Sequence, residues 1–328
     1  MERARAWMFV AACAAACGGG RGGDREPPGL VTATVTAPRP IDVDRAARDA
    51  GELARAVAQP WRIAAAALGD HSLTIDSTVV VKDGAAVLEQ LGEHVTIASA
   101  AAGAYHATAD NTADYGREVV WVGGQLYLRP RYALWHGRGP ERDDEPQELR
   151  DQLAAVLGDY LDLCARGLEV SDKGPAQAAG RSGRRVELKL APTPRAVPAQ
   201  AVTQRAWRDT IVVTAARGEV VLDDELGVAL TGTLTAEVRF QRDGKPLTMA
   251  VTVTHTALAT AAPAVAPPAA DQVVATPIRA REVDDRNALL KGIAPPQGKA
   301  ALDEPVAPTP EPPTTPAPPA APGAKAPP

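Results

Sequence analysis

Hydrophobic positions along this chain follow two different periods. Between Ile41 and Leu68 they recur every three to four residues. Val43, Ala46, Ala47, Ala50, Leu53, Ala54 and Val57 form one stripe, which predicts a helix running to about Ala58 with Asp42 or Asp44 as its cap. Pro60 interrupts it, and Trp61 to Leu68 predicts one or two further helical turns. From Leu73 the period becomes two. Leu73, Ile75, Ser77, Val79 and Val81 alternate with Thr74, Asp76, Thr78 and Val80, the pattern of a strand with one buried face. Asp83-Gly84 tolerates positive φ and marks a hairpin turn into a returning strand from about Val87 to Ala100.

The alternation continues. Gly103 permits a turn into Tyr105–Ala109, and Gly123-Gly124 joins Glu118–Val122 to Gln125–Arg129. Tyr132–His136 prolongs that strand beyond a bulge at Pro130. A long helix follows. Asp143, Asp144, Glu145 and Pro146 suit a helix start, and Leu149, Leu153, Val156, Leu157, Tyr160, Leu161 and Cys164 form its buried face up to Gly167. After a polar loop, strands return at Val186–Leu190, Thr210–Ala215, Glu219–Leu222, Val228–Gln241 and Pro246–Leu258, with Asp243-Gly244 as another hairpin turn. Some nine to eleven strands joined by short loops predict an α+β fold: a strongly curved antiparallel sheet, a half-barrel, packed on helices.

Composition limits how much of the chain folds. Of the 328 residues, 30 are proline, and more than half of those prolines lie after Ala262. Residues 261–328 therefore read as a disordered Pro/Ala-rich tail, with a short helix predicted within 283–292. Residues 17–40 read as a flexible tether and 41–260 as one α+β domain. A net charge of -5 argues against nucleic acid as a partner. Cys164 has no disulfide partner once the N-terminal cysteines are assigned, so the domain relies on its core.

The first residues carry an export signal. Arg3 and Arg5 precede the apolar run Trp7–Ala12, and small residues Ala14-Ala15-Ala16 lead into Cys17-Gly18. The run is too short to span a bilayer, which takes roughly 20 apolar residues. The small residues before a cysteine resemble the lipobox cut by signal peptidase II in bacterial lipoproteins. The resemblance implies a signal peptide over 1–16, lipidation of Cys17 and membrane attachment through N-terminal acyl chains. Cys13, after Val10-Ala11-Ala12, competes for that role, but the glycine tether begins only after Cys17. Neither cysteine is followed by Asp, which by the same resemblance points to the outer membrane, facing the periplasm.

The predicted layout over Asp42–Thr260 resembles the half-barrels of bacterial envelope carriers, the Lol type and the mycobacterial LppX/LprG type. In these a curved antiparallel sheet closes over helices and an apolar cavity. The resemblance is one of topology, and no residue's role is carried over from it.

Candidate chemistry is sparse. His71, His94, His106, His136 and His255 lie far from one another in sequence and show no metal-ligand spacing. Asp223-Asp224-Glu225 reads as a solvated turn, and Gly180–Arg185 as a mobile basic loop. No motif supports an enzyme, a cofactor or a metal. Trp121, Tyr127, Tyr132 and Trp135 cluster across a predicted hairpin. They serve cross-strand packing or, where the sheet encloses a cavity, line it. In the tail, Leu289, Leu290 and Ile293 are docking anchors for the predicted helix. The expected function is a lipid-anchored envelope protein that binds an amphiphile, a lipid or a lipoprotein's acyl chain. The alternative is a non-catalytic scaffold lipoprotein whose Pro-rich tail meets an envelope partner.

Overall fold

The computed structural model describes residues 40–112, 116–131, 133–194, 206–260, 265–274 and 285–294. The export signal with Cys13 and Cys17, the tether up to residue 39, Tyr132 and the last Pro-rich stretch lie outside the described residues.

Three short helices come first: α1 (Val43–Ala46), α2 (Ala50–Val57) and α3 (Trp61–Leu68). The single predicted helix is divided because it carries two caps. Asp42 accepts from the Arg45 backbone N–H and Asp49 from that of Glu52, each at 3.0 Å, so the chain restarts its helix at Asp49. The strands β1 (His71–Asp83), β2 (Ala86–Ser99), β3 (Tyr105–Asn111), β4 (Gly116–Val122), β5 (Gln125–Pro130) and β6 (Trp135–Arg138) then form a meander. Two helices, α4 (Glu145–Ala154) and α5 (Val156–Cys164), meet at Ala155 where one helix was predicted. They are followed by β7 (Leu168–Ala178), β8 (Arg181–Leu190), β9 (Val212–Asp223), β10 (Ala229–Arg242) and β11 (Lys245–Ala259). Beyond residue 260 come β12 (Val273–Val274) and α6 (Asp285–Leu290).

The twelve strands form one open, curved sheet in the order β12-β6-β5-β4-β3-β2-β1-β11-β10-β9-β8-β7. All pairings are antiparallel except that of β12 with β6. Hairpin turns fall where Gly84, Gly123-Gly124 and Asp243-Gly244 supply positive φ. A fourth falls at Ala179-Gly180, where Ala179 takes φ 50°.

Two predicted loops are strand. Leu168–Ala178 is an edge strand, where Gly174 and Pro175 are tolerated because one side of its backbone needs no ladder partner. Arg181–Arg185 begins β8, and Arg181 and Arg184 are held by ion pairs rather than left mobile. The Asp223–Glu225 turn is also not simply solvated, because Asp223 is fully buried.

Side chains alternate between the two faces, except at bulges such as those at Val81/Lys82 and Asp172/Pro175. The outer face of the central strands carries Thr74, Asp76 and Thr78 on β1, with Thr252, Thr254 and Thr256 paired to them on β11. The inner face carries Leu73, Ile75, Val79, Val251, Val253, Leu234 and Val238, all buried. α5 fills this concavity. Leu157, Tyr160, Leu161 and Cys164 are fully buried, and Leu157 seats over Gly232, where a Cβ would stand 2.6 Å from its Cδ2. Gly158 lets α5 approach α2 equally closely, since a Cβ there would lie 3.0 Å from the Val57 carbonyl oxygen.

Candidate functional site

The concave face divides into two compartments along the strands. The first lies where α2 to α5 meet β1, β10 and β11. Trp61 of α3 is its centre. Its indole N–H donates to Nε2 of His71 at 3.3 Å, and its ring stands edge-on to His255, with centroids 5.5 Å apart. His71 donates from Nδ1 to the Gly69 carbonyl at 2.8 Å, which fixes a neutral tautomer able to accept from Trp61.

His255 points inward from β11 and is only 3% exposed. Neither ring nitrogen reaches a partner at full hydrogen-bond geometry. Burial pulls its pKa down to about 4, against a smaller opposing pull from the Ala229 backbone. Burial also lowers the pKa of His71, as it does that of the buried Arg150, whose guanidinium lies 5.3 Å over the Tyr105 ring. The Tyr105 hydroxyl donates to the Pro146 carbonyl at 2.5 Å and ties β3 to α4.

Beside His255 lies a small cavity lined by Gln59, Trp61, Asp151, Leu157 and Gly158 among others, with about 20 Å³ of room. That volume suits a single water, not an acyl chain.

The second compartment lies toward the β1–β2 and β10–β11 hairpin turns. Its floor is Val79, Val81, Leu91, Met249, Val251, Val238 and Phe240, all buried. Trp207 stands edge-on to Phe240, with centroids 6.0 Å apart. The tail helix α6 lies along this floor. At one end Arg286 reaches Glu93 on β2, and at the other Gly292 rests on Trp207 so closely that a Cβ would collide with the indole. Leu289 and Leu290 are buried in the same hydrophobic core, whereas Ile293 is 57% exposed. Carboxylates mark this compartment: Glu89, which accepts from Arg242 at 3.1 Å, Glu93 and Asp159. Glu93 faces inward, opposite the buried Ser77, whose hydroxyl donates to it at 3.4 Å. Asp159 of α5 lies 3.4 Å from the Arg286 Nε.

Of the predicted aromatic cluster, Trp121, Tyr127 and Trp135 do not form one surface, and Tyr132 lies outside the described residues. Trp121 pairs with Tyr105 and Leu126, both buried on the concave side. Tyr127 and Trp135 fall on the opposite side, where the Arg129 guanidinium stacks 4.4 Å over Trp135 and His106 meets the same ring edge-on. The two-residue turn at Gly123-Gly124 already implies this split, because it places Trp121 opposite Leu126 and so turns Tyr127 outward.

Sequence reading did not single out Glu93, Asp159, Arg286 or Trp207. Glu93 carried a signal, since it shares the inward phase of Leu91 and Val95.

His94 bonds Asp76 at 2.6 Å and His106 bonds Glu118 at 3.3 Å, both as outward pairs across strands. Among the described residues no group of three or more His, Cys, Asp or Glu side chains is placed to hold a metal ion. No described helix is long and apolar enough to cross a membrane.

No protein-family model matches the chain, and no curated protein does. Among solved structures it is similar to LprF from Mycobacterium bovis, at 13% identity over 62% of this chain and 93% of that one, with a TM-score of 0.22. It is likewise similar to the Mycobacterium tuberculosis lipoprotein LppX, at 13% identity over 62% and 94% with a TM-score of 0.21. A DUF1329 family protein from Desulfovibrio piger matches at 11% identity over 64% and 93%, TM-score 0.21. Likenesses at this level carry no inference about ligands, and the fold assignment rests on the strand order and register.

Proposed function

We propose that this chain is a lipid-anchored protein of a bacterial envelope whose half-barrel holds an amphiphile, a lipid or the acyl chain of a lipoprotein. One observation carries the reading: the concave face has two different fillers. The first compartment is closed by α2 to α5, which are continuous with the sheet. The second is an apolar floor closed by α6, a six-residue helix supplied by the tail. A helix this short has no stability of its own. Burial of its two leucines contributes roughly 3–6 kcal/mol. The filler is therefore held by its contacts with the domain and not by its own helicity. An acyl chain entering the floor contributes about 0.8 kcal/mol per buried CH2 and competes with α6 for the same surface. The anchor in this proposal rests on Arg3, Arg5, the apolar run and Cys17.

Native mass spectrometry on residues 18–328, exported behind a secretory signal, tests the reading. A stoichiometric co-purifying amphiphile is the expected result. A clean apo mass, unchanged after incubation with envelope lipids, overturns it in favour of a scaffold. The scaffold reading has its own support in the first compartment, which α5 fills and whose cavity beside His255 has about 20 Å³ of room.

A further inference from the structure

We infer that Arg150 and Ser99 form an oxyanion site on the inner face of the sheet, beneath α4, which takes one carboxylate or phosphate group. A free anion fits this chemistry as well as the head of an amphiphile does, so the inference stands apart from the reading above.

The site begins as a cross-strand row. Ser99, at the end of β2, pairs with His71 on β1 and with Tyr105 on β3. All three side chains are buried, so the row faces inward. Arg150 of α4 lies across it. Its guanidinium stands 5.3 Å over the Tyr105 ring. Its charge also reaches His71, whose pKa is lowered first by burial and, in the same direction, by Arg150. Ser99 lies between these two neighbours of the guanidinium.

The polar groups here lack partners. Arg150 is 6% exposed and Ser99 1%. The Arg150 Nε and the Ser99 hydroxyl are buried with no hydrogen-bond partner, and among the described residues Arg150 forms no ion pair. A guanidinium keeps its proton, and burying one without a counter-charge is costly. The carboxylates nearby are committed elsewhere. Asp151, which exerts the main opposing pull on Arg150, accepts from the Arg62 backbone N–H at 2.8 Å and from its Nε at 2.5 Å. Glu145 is held by both terminal nitrogens of Arg138. The Tyr105 hydroxyl is taken by the Pro146 carbonyl, and both nitrogens of His71 are engaged.

One positive charge, a fork of donors and a hydroxyl are thus left together. An oxyanion supplies what they lack, acceptor oxygens and a negative charge at once. A cation would add to the charges of Arg150 and Arg62, and a water would satisfy the hydrogen bonds but not the charge.

The test is isothermal titration calorimetry on residues 18–328 at constant ionic strength. The probes are acetate, inorganic phosphate, octanoate and octanol, with both amphiphiles below their aggregation concentrations. Octanoate should bind at least about tenfold tighter than octanol, since the two differ only in the anionic head. Arg150→Gln should remove that preference, and Ser99→Ala should weaken octanoate severalfold. Thermal unfolding checks that each variant folds, and Ser99→Ala decides alone where Arg150→Gln does not. Acetate or phosphate binding as tightly as octanoate assigns a free anion as the ligand. Octanoate binding tighter than both assigns the head of an amphiphile.

Octanoate no tighter than octanol, with acetate and phosphate silent, overturns the site. A preference for anions that survives Arg150→Gln overturns it too, and leaves Arg150 as a packing residue over Tyr105. Unchanged affinity in Ser99→Ala overturns the hydroxyl's part in it.

Discussion

Trp61 stands edge-on to His255 while its indole N–H donates to His71, so one side chain holds two buried imidazoles apart and neutral. Charge on either ring would sit among α3, α5 and the inner strands with little to solvate it. The helix–sheet junction is therefore built for the neutral form of both histidines, which ties its stability to pH.

The sign follows from proton binding. In the unfolded chain His255 titrates near its ordinary value of 6.5, but in the fold near 4. Between these values the unfolded state binds more protons. Stability is thus fully present above about pH 6.5 and falls as pH drops toward 4, by about 3 kcal/mol in all. His71, also lowered by burial, adds a loss of the same sign. Urea midpoints at pH 7.5, 5.5 and 4.5 should fall steadily for the wild type and less steeply for His255→Leu. Parallel curves for the two proteins would show that His255 does not carry the effect.

Arg181 and Asp223 make a second buried device. Asp223 is fully buried at the end of β9, and Arg181 at the start of β8 pairs with it and, at 2.8 Å, with Glu225. Burial alone would raise the Asp223 pKa. The bond from Arg181 and the backbone N–H groups of Leu226 and Glu225 outweigh it and hold the carboxyl below its ordinary value. Arg181→Leu leaves that carboxylate uncompensated and should cost about 3–5 kcal/mol. The double variant with Asp223→Leu should recover part of this loss in chemical denaturation. No recovery would mean that the turn needs the Asp223 carboxylate for its backbone bonds more than the pair needs its charge.

Much of the fold was legible in local pattern. The period-two runs of β1, β10 and β11 and the turns at Asp83-Gly84, Gly123-Gly124 and Asp243-Gly244 locate the sheet, because alternation and positive φ are local demands. The buried face of Leu149–Cys164 was equally plain. What local pattern concealed was pairing at long range. Arg181 and Asp223 are 42 residues apart, so their charges read as solvated until the sheet is assembled. β7 was hidden for another reason: an edge strand needs only half a ladder, so its sequence can carry Gly174 and Pro175 like a loop. The division of Trp121 from Tyr127 and Trp135 was available from strand parity, but sequence proximity grouped them.

Cys164 tests how tightly α5 fills the sheet. The thiol is fully buried, and burial pushes its pKa up to about 12, so little thiolate exists at neutral pH. In a chain with Cys13→Ser and Cys17→Ser, a thiol reagent at pH 8 should modify Cys164 only as fast as the protein unfolds, and at once in denaturant. Fast labelling of the native chain would show that α5 opens without global unfolding.

The anchor is tested at the cysteines themselves. Lipid attachment requires the thiol at the processed position, and acyl chains there hold the protein by roughly 0.8 kcal/mol per buried CH2 without any spanning helix. The wild type in a bacterial host should fractionate with membranes and take up an alkyne-tagged fatty acid. Cys17→Ala should abolish the label and leave either an unprocessed precursor or a released protein, whereas Cys13→Ala should keep both label and membrane. The opposite pattern moves the site to Cys13. Loss of label in neither variant, with the protein free in the soluble fraction, removes the anchor. In that case α6 and its floor would serve a diffusing protein, one that must release its ligand to a membrane rather than work beside one.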